Sequence, residues 1–166
     1  SLVSGTTYDV AVSGMTTNGT VIATIRSTAA HDIAGNNSSA SLSTDNTVTY
    51  DTIVPTVTIN QASGQADPTN GGPIHFTVVF SEAVSGFTTS NVSLGGTAGP
   101  ASDTISLVSG TTYDVAVDAI ANNGTVTASI KSGTVHDAAG NLLATGSTST
   151  DNTVTYDTIA PTVTIN

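Results

Sequence analysis

The chain has 166 residues, a formal net charge of −10 and only two basic side chains, Arg26 and Lys131. That balance argues against nucleic acid, whose phosphates need clustered Lys and Arg, and against an anionic membrane surface; the counter-charges it invites are metal cations. No Cys is present, which excludes a disulfide framework, and no apolar run is long enough to span a bilayer.

The first 54 residues alternate apolar and polar side chains with a period of two, through Tyr8, Val10 and Val12 and again through Val21 and Ile25. SLVSGTTYDVAV opens at Ser1 and returns at Ser106. NGTV returns from Asn18 at Asn123, HD-x-AGN from His31 at His136, and DNTVTYDTI-x-PTVTIN from Asp45 at Asp151. Ser1 to Ser106 is 105 positions and Asp45 to Asp151 is 106, so one residue has been inserted after HD-x-AGN. A surface loop accepts such an insertion at least cost. A repeat of this length is one small domain rather than a solenoid turn.

Seven strands are predicted in the complete repeat, near 56–60, 73–80, 90–95, 103–108, 112–118, 124–131 and 151–157. Period-two alternation recurs in most of them (Ile74, Phe76, Val78, Phe80; Tyr113, Val115, Val117; Val126, Ala128, Ile130), and no helix is predicted. Ser109-Gly110-Thr111 reads as a tight hairpin and Asn122-Asn123-Gly124 as a turn accepting positive φ. The fold class expected is all-β: an Ig-like antiparallel β-sandwich of about seven strands per repeat, in a tandem array.

Proline restricts its own φ and extends the residue before it, so DTIVP (51–55) and DTIAP (157–161) read as short, stiff linkers. On this division residues 1–54 are the last four strands of one repeat, 55–160 a complete repeat, and 161–166 the first strand of another. The chain then reads as a window on a longer array, with the apolar face of 1–54 awaiting strands from elsewhere in the array or from another copy.

Successive strands of a sandwich reverse direction, so the loop after 73–80 and the long loop 132–150 share the pole at which the repeat begins. This near pole collects Asp51, Glu82, Asp137 and Asn141, with Asp32 and Asn36 as repeat equivalents of the last two. Oxygen donors of this mixture suit Ca²⁺, which takes six to eight of them. The far pole collects Asp67, Asp118 and Asp157, with Asp103 beside them; Asp118 aligns with Ser13, so a site using it is not repeated. The competing account of HD-x-AGN is a turn in which Asp and Asn cap their own backbone.

Other chemistry is weakly signalled. His31 and His136 are one position in two repeats, His75 lies on a strand, and no Cys assists, so zinc is not expected. His136 and Asp137 are turn neighbours rather than part of a catalytic triad. Alternating Thr in TVTYDT suits a soluble sheet face as well as a glycan- or ice-binding stripe. NGT at 18 and 123 and NVS at 91 match the N-glycosylation pattern.

DTIAPTVTI opening a domain, VVFSEAVSGF (78–87), VHDAAGN (135–141) and STDNTVTYD (149–157) together resemble bacterial Ig-like repeats of large surface adhesins and other giant exported proteins. The resemblance implies an extracellular, non-enzymatic spacer on the bacterial cell surface, with calcium near domain junctions and neighbouring repeats as partners. A filament subunit that exchanges strands with other copies is the alternative, and a glycan- or ice-binding module a third.

Overall fold

The computed structural model describes residues 1–166, and packing divides them into two units, Ser1–Ile53 and Val54–Asn166.

The first unit contains two antiparallel pairs. β1 (Leu2–Ser4) pairs with β2 (Thr7–Tyr8), and β3 (Gly19–Ile22) with β4 (Thr47–Tyr50). No residue of this unit is buried, and Tyr8, Val10, Val12, Ile25 and Val48 are exposed. β2 ends at Tyr8, whereas its counterpart in the second unit runs for seven residues. With no opposing layer to cover Val10 and Val12, the alternating pattern has no packing to hold it in strand geometry.

The second unit is a sandwich. Its strands are β5 (Val57–Gln61), β6 (Ile74–Phe80), β7 (Val92–Gly95), β8 (Ser102–Ser109), β9 (Thr112–Asp118), β10 (Gly124–Ile130) and β11 (Thr153–Tyr156), with a 3₁₀ turn at Thr89–Asn91 before β7. One sheet is ordered β5-β6-β9-β8 and the other β11-β10-β7, all pairs antiparallel. This is the strand partition of a constant-type Ig domain. Side chains at every second position enter the core: Val57 and Ile59, then Ile74, Phe76, Val78 and Phe80, then Val115 and Val117 from the first sheet. Val92, Val126, Ala128, Ile130 and Val154 meet them from the second, and Val135 and Leu143 seal one end from the loop between β10 and β11.

β5 is also stitched to the chain leading into β11. Ile59 N donates to Thr148 O (3.1 Å), Thr148 N to Val57 O (3.1 Å) and Gln61 N to Asp151 O (2.6 Å). Asn60 Oδ1 accepts from Ser149 Oγ (3.0 Å), Thr150 N (2.9 Å) and Asp151 N (3.1 Å).

Both turn signals are realised. Asn123-Gly124 joins β9 to β10, which belong to different sheets. Gly124, at φ +146°, lies so close to Thr97 and Ala98 that a Cβ would collide with them. The glycine is needed for that approach as well as for its dihedral. The β8–β9 hairpin at Gly110 forms as read, with a register shift between Leu107 and Ser109.

Candidate metal centre

Two loops meet at the near pole of the second unit. The first follows β6. Phe80, Phe87 and Tyr113 form a triangle of edge-to-face ring contacts with centroids 5.1–5.8 Å apart, which anchors the chain on both sides of Glu82. The second is the loop after β10, in which Val135 and Leu143 are buried on either side of His136–Leu142 and bonded to each other, Leu143 N to Val135 O at 2.8 Å. The loops are joined by a reciprocal pair of backbone bonds, Ser85 N to His136 O (2.7 Å) and His136 N to Ser85 O (3.1 Å). Gly86 sits at this crossing, where a Cβ would come within 2.9 Å of Thr134 O.

The bridge brings Glu82 and Asp137 together. Asp137 is 2% exposed. Its Oδ1 accepts from Asn141 N (2.8 Å) and its Oδ2 from Asn141 Nδ2 (2.8 Å), and Gly140 closes the turn at φ +91°. The Asn141 side-chain amide, helped by backbone N–H groups of the same turn, outweighs burial and holds the Asp137 carboxyl below the ordinary aspartate range. The first unit builds the same turn: Asn36 N and Nδ2 donate to Asp32 Oδ1 (2.8 Å) and Oδ2 (2.9 Å), with the same lowering of the Asp32 carboxyl by the Asn36 side chain. The Asp–Asn pairing in HD-x-AGN is therefore turn chemistry in both copies. Asp137 lies beside Glu82 in addition.

The start of the domain is pinned to the same place. Ser81 N donates to Thr56 O (2.9 Å) and Thr56 N to Ser81 Oγ (2.9 Å), which fixes the segment entering β5 against the residue preceding Glu82.

A family model described as bacterial Ig-like domain matches residues 51–156. The chain belongs to that family. Domains of this kind are generally structural rather than catalytic, and they are often found on surface proteins. No curated protein matches the chain, and no solved structure does.

The matched span takes in Asp51 from the first packed unit and Glu82 and Asp137 from the second. Glu82 and Asp137 each offer a carboxylate oxygen, and these two oxygens lie within 4.8 Å of each other. The donor set consists of hard anionic oxygens, one carboxylate of it deeply buried, with Asn141 alongside. That chemistry fits Ca²⁺ and does not fit zinc, which favours nitrogen and sulfur ligands.

The far-pole acids form no such group. Asp67 Oδ1 accepts from Thr155 N (2.9 Å), Asp118 borders a shallow pocket with Gly72 and Tyr156, and Asp157 Oδ1 accepts from Asn123 Nδ2 (3.0 Å) and Ile159 N (2.9 Å). Asp103 points inward on β8, opposite Val117, with Oδ2 buried and unbonded.

One recurrent device has only a weak sequence signal. Asn18 Nδ2 donates to Asp51 Oδ1 (2.9 Å) while Asn18 Oδ1 accepts from Thr52 N and Oγ1. Asn123 makes the same clasp with Asp157 and Thr158. The only trace in the sequence is that NGT and DTI recur together in both copies. The clasp gives both NGT asparagines a structural role. Asn91 of NVS is buried, its side chain bonded to Thr88 and Thr134, so the folded domain does not present it for glycosylation. His75 Nδ1 lies 2.9 Å from Asp114 Oδ2 across neighbouring strands.

Proposed function

We propose that the chain is a spacer or stalk segment of an extracellular bacterial surface protein, and that Ca²⁺ held by Glu82 and Asp137 stiffens it. The observation that carries this reading is the convergence of two carboxylates from loops distant in sequence, Glu82 after β6 and Asp137 after β10. These carboxylates, the Asn141 amide oxygen, main-chain carbonyls and water can supply the six to eight oxygens that Ca²⁺ takes. Asp137, with its lowered pKa, is ionised at neutral pH and ready for a cation.

The mechanical consequence follows from charge. Without a cation the two carboxylates repel each other and loosen the loops after β6 and β10. A bound cation neutralises them and ties the two loops together. The same chemistry assigns no catalytic role: the His75–Asp114 pair joins neighbouring strands of a sheet, and His136 Nδ1 faces the Thr134 carbonyl at 3.1 Å.

Small-angle scattering of the chain in EDTA and then in calcium tests the stiffening. The expected result is a narrower distribution of inter-residue distances in calcium, absent in Glu82→Ala. Identical profiles in both buffers would contradict the stalk reading. A second reading, association of copies, draws on the exposed apolar face of the first unit.

A further inference from the structure

We infer that Asn70 is a site of spontaneous self-modification: its side-chain amide is lost to attack by the backbone nitrogen of Gly71, and a carboxylate takes its place. Three Asn-Gly pairs occur in the sequence, Asn18-Gly19, Asn70-Gly71 and Asn123-Gly124. In each the attacking nitrogen is unhindered, because glycine carries no side chain and its backbone turns freely. The folded structure separates the three.

Two are held away from the reaction. Asn18 Nδ2 donates to Asp51 Oδ1 (2.9 Å), and Asn18 Oδ1 accepts from Thr52 N (3.2 Å) and Thr52 Oγ1 (2.9 Å). Asn123 is fixed the same way, with Nδ2 donating to Asp157 Oδ1 (3.0 Å) and Oδ1 accepting from Thr158 N (3.2 Å) and Thr158 Oγ1 (2.9 Å). Attack requires the side chain to fold back over the peptide that follows it, which breaks all three bonds of either clasp. Gly19 and Gly124 also open β3 and β10, paired with Tyr50 and Tyr156, so their backbones are held in strand geometry.

Asn70 lacks each of these restraints. It is exposed, in the loop Thr69-Asn70-Gly71-Gly72 between β5 and β6, and its side chain makes no hydrogen bond. Nothing lies within 4 Å of the place where a Cβ would stand on Gly71. The Gly71 N–H is tied only by a long bond to Thr69 Oγ1 (3.3 Å), which water replaces at little cost. The loop is anchored on either side of the reacting pair, by Thr69 N to Thr155 O (2.9 Å) and Asp157 N to Thr69 O (2.8 Å) before it and by buried Ile74 after it. The fold therefore persists through a change at Asn70.

The step needs no co-reactant but water. The Gly71 nitrogen gives up its proton and bonds to Asn70 Cγ; the Cγ–Nδ2 bond breaks, and the amide nitrogen leaves with that proton as ammonia. Water then opens the five-membered imide. Opening at the former side-chain carbonyl gives aspartate, and opening at the main-chain carbonyl gives isoaspartate. Either product carries a new negative charge beside Asp157, with which Asn70 shares a shallow surface cavity.

The test is to age the folded chain in warm, mildly alkaline buffer and to follow the three asparagines by peptide mass spectrometry, with the urea-unfolded chain aged alongside. In the folded chain Asn70 is expected to convert at least about tenfold faster than Asn18 and Asn123, because holding reacting atoms out of near-attack geometry costs that much or more. Unfolding should bring the three rates together, and Asn70→Gln should remove the acidic species that ion exchange resolves from the folded chain. Asn18 or Asn123 converting as fast as Asn70 in the folded chain, an equal lead for Asn70 in the unfolded chain, or an Asn70→Gln chain that acidifies at the parent rate overturns the proposal.

Discussion

Asp137 and Asp103 are carboxylates with opposite environments, and pH separates them. Asp137 is held below its ordinary value by Asn141, so its ionised form favours the folded state. That contribution is whole above the unfolded-state value of 3.8 and is lost as pH falls through the lower folded value. An acid titration of stability should therefore lose part of its slope below the ordinary aspartate range in Asp137→Ala, read by urea melts at successive pH values. Asp103 is pushed up by burial, only partly offset by the charge of Lys131, so ionisation above its folded value opposes folding. Its Oδ2 also has no hydrogen-bond partner. Asp103→Val fills the inward position opposite Val117 without a buried orphan oxygen and is expected to raise stability by about 1 kcal/mol at neutral pH. A melting midpoint equal to wild type or lower would mean that Asp103 is already well accommodated. Its retention on β8, an edge strand, is consistent with an inward charge that discourages edge-to-edge pairing.

At the scale of elements, the same strand sequence has two fates. Ile130 is 2% exposed and Ile25, its repeat equivalent, 47%. Ile130→Ala should cost about 2–5 kcal/mol through lost burial and a residual cavity. Ile25→Ala should stay within about 0.5 kcal/mol. Chemical denaturation followed by a probe in the second unit distinguishes the two; equal costs would mean that the first unit is packed after all. This contrast also marks what could be read beforehand. Period-two alternation in Ile74–Phe80 and Thr112–Asp118 is a direct imprint of one buried face, so those strands were legible to within a residue. The two-residue β2 was not, because Val10 and Val12 carry the same pattern as Val115 and Val117 and differ only in lacking an opposing sheet. The meeting of the loop after β6 with the loop after β10 was legible because strand reversal alone decides which loops share an end. What joins them was not: the Ser85–His136 bridge is made by backbone atoms, which side-chain identity does not report. The Asn18 and Asn123 clasps were hidden for another reason, since NGT is equally a turn and a glycosylation pattern. Asn123→Ala removes bonds to Asp157 and Thr158 and should cost about 1 kcal/mol, with faster amide exchange at 157–159 as the local sign.

At the scale of the molecule, charge and repetition dominate. A net charge of −10 with two basic residues makes the surface self-repelling. It also means that screening by salt relaxes carboxylate repulsion without replacing a coordinated cation. The calcium account is therefore separable from a general ionic effect. The most direct measurement is a thermal melt of the chain in EDTA, in millimolar calcium and in millimolar magnesium at matched ionic strength. A ligand that binds only the folded state raises its midpoint by mass action, by about 2.7 kcal/mol of stability at a hundredfold excess over Kd. The account predicts a rise of several degrees in calcium, a smaller one in magnesium, and none in Glu82→Ala. Equal midpoints in EDTA and calcium would contradict it and leave Glu82 and Asp137 as neighbouring loop carboxylates with no cation between them.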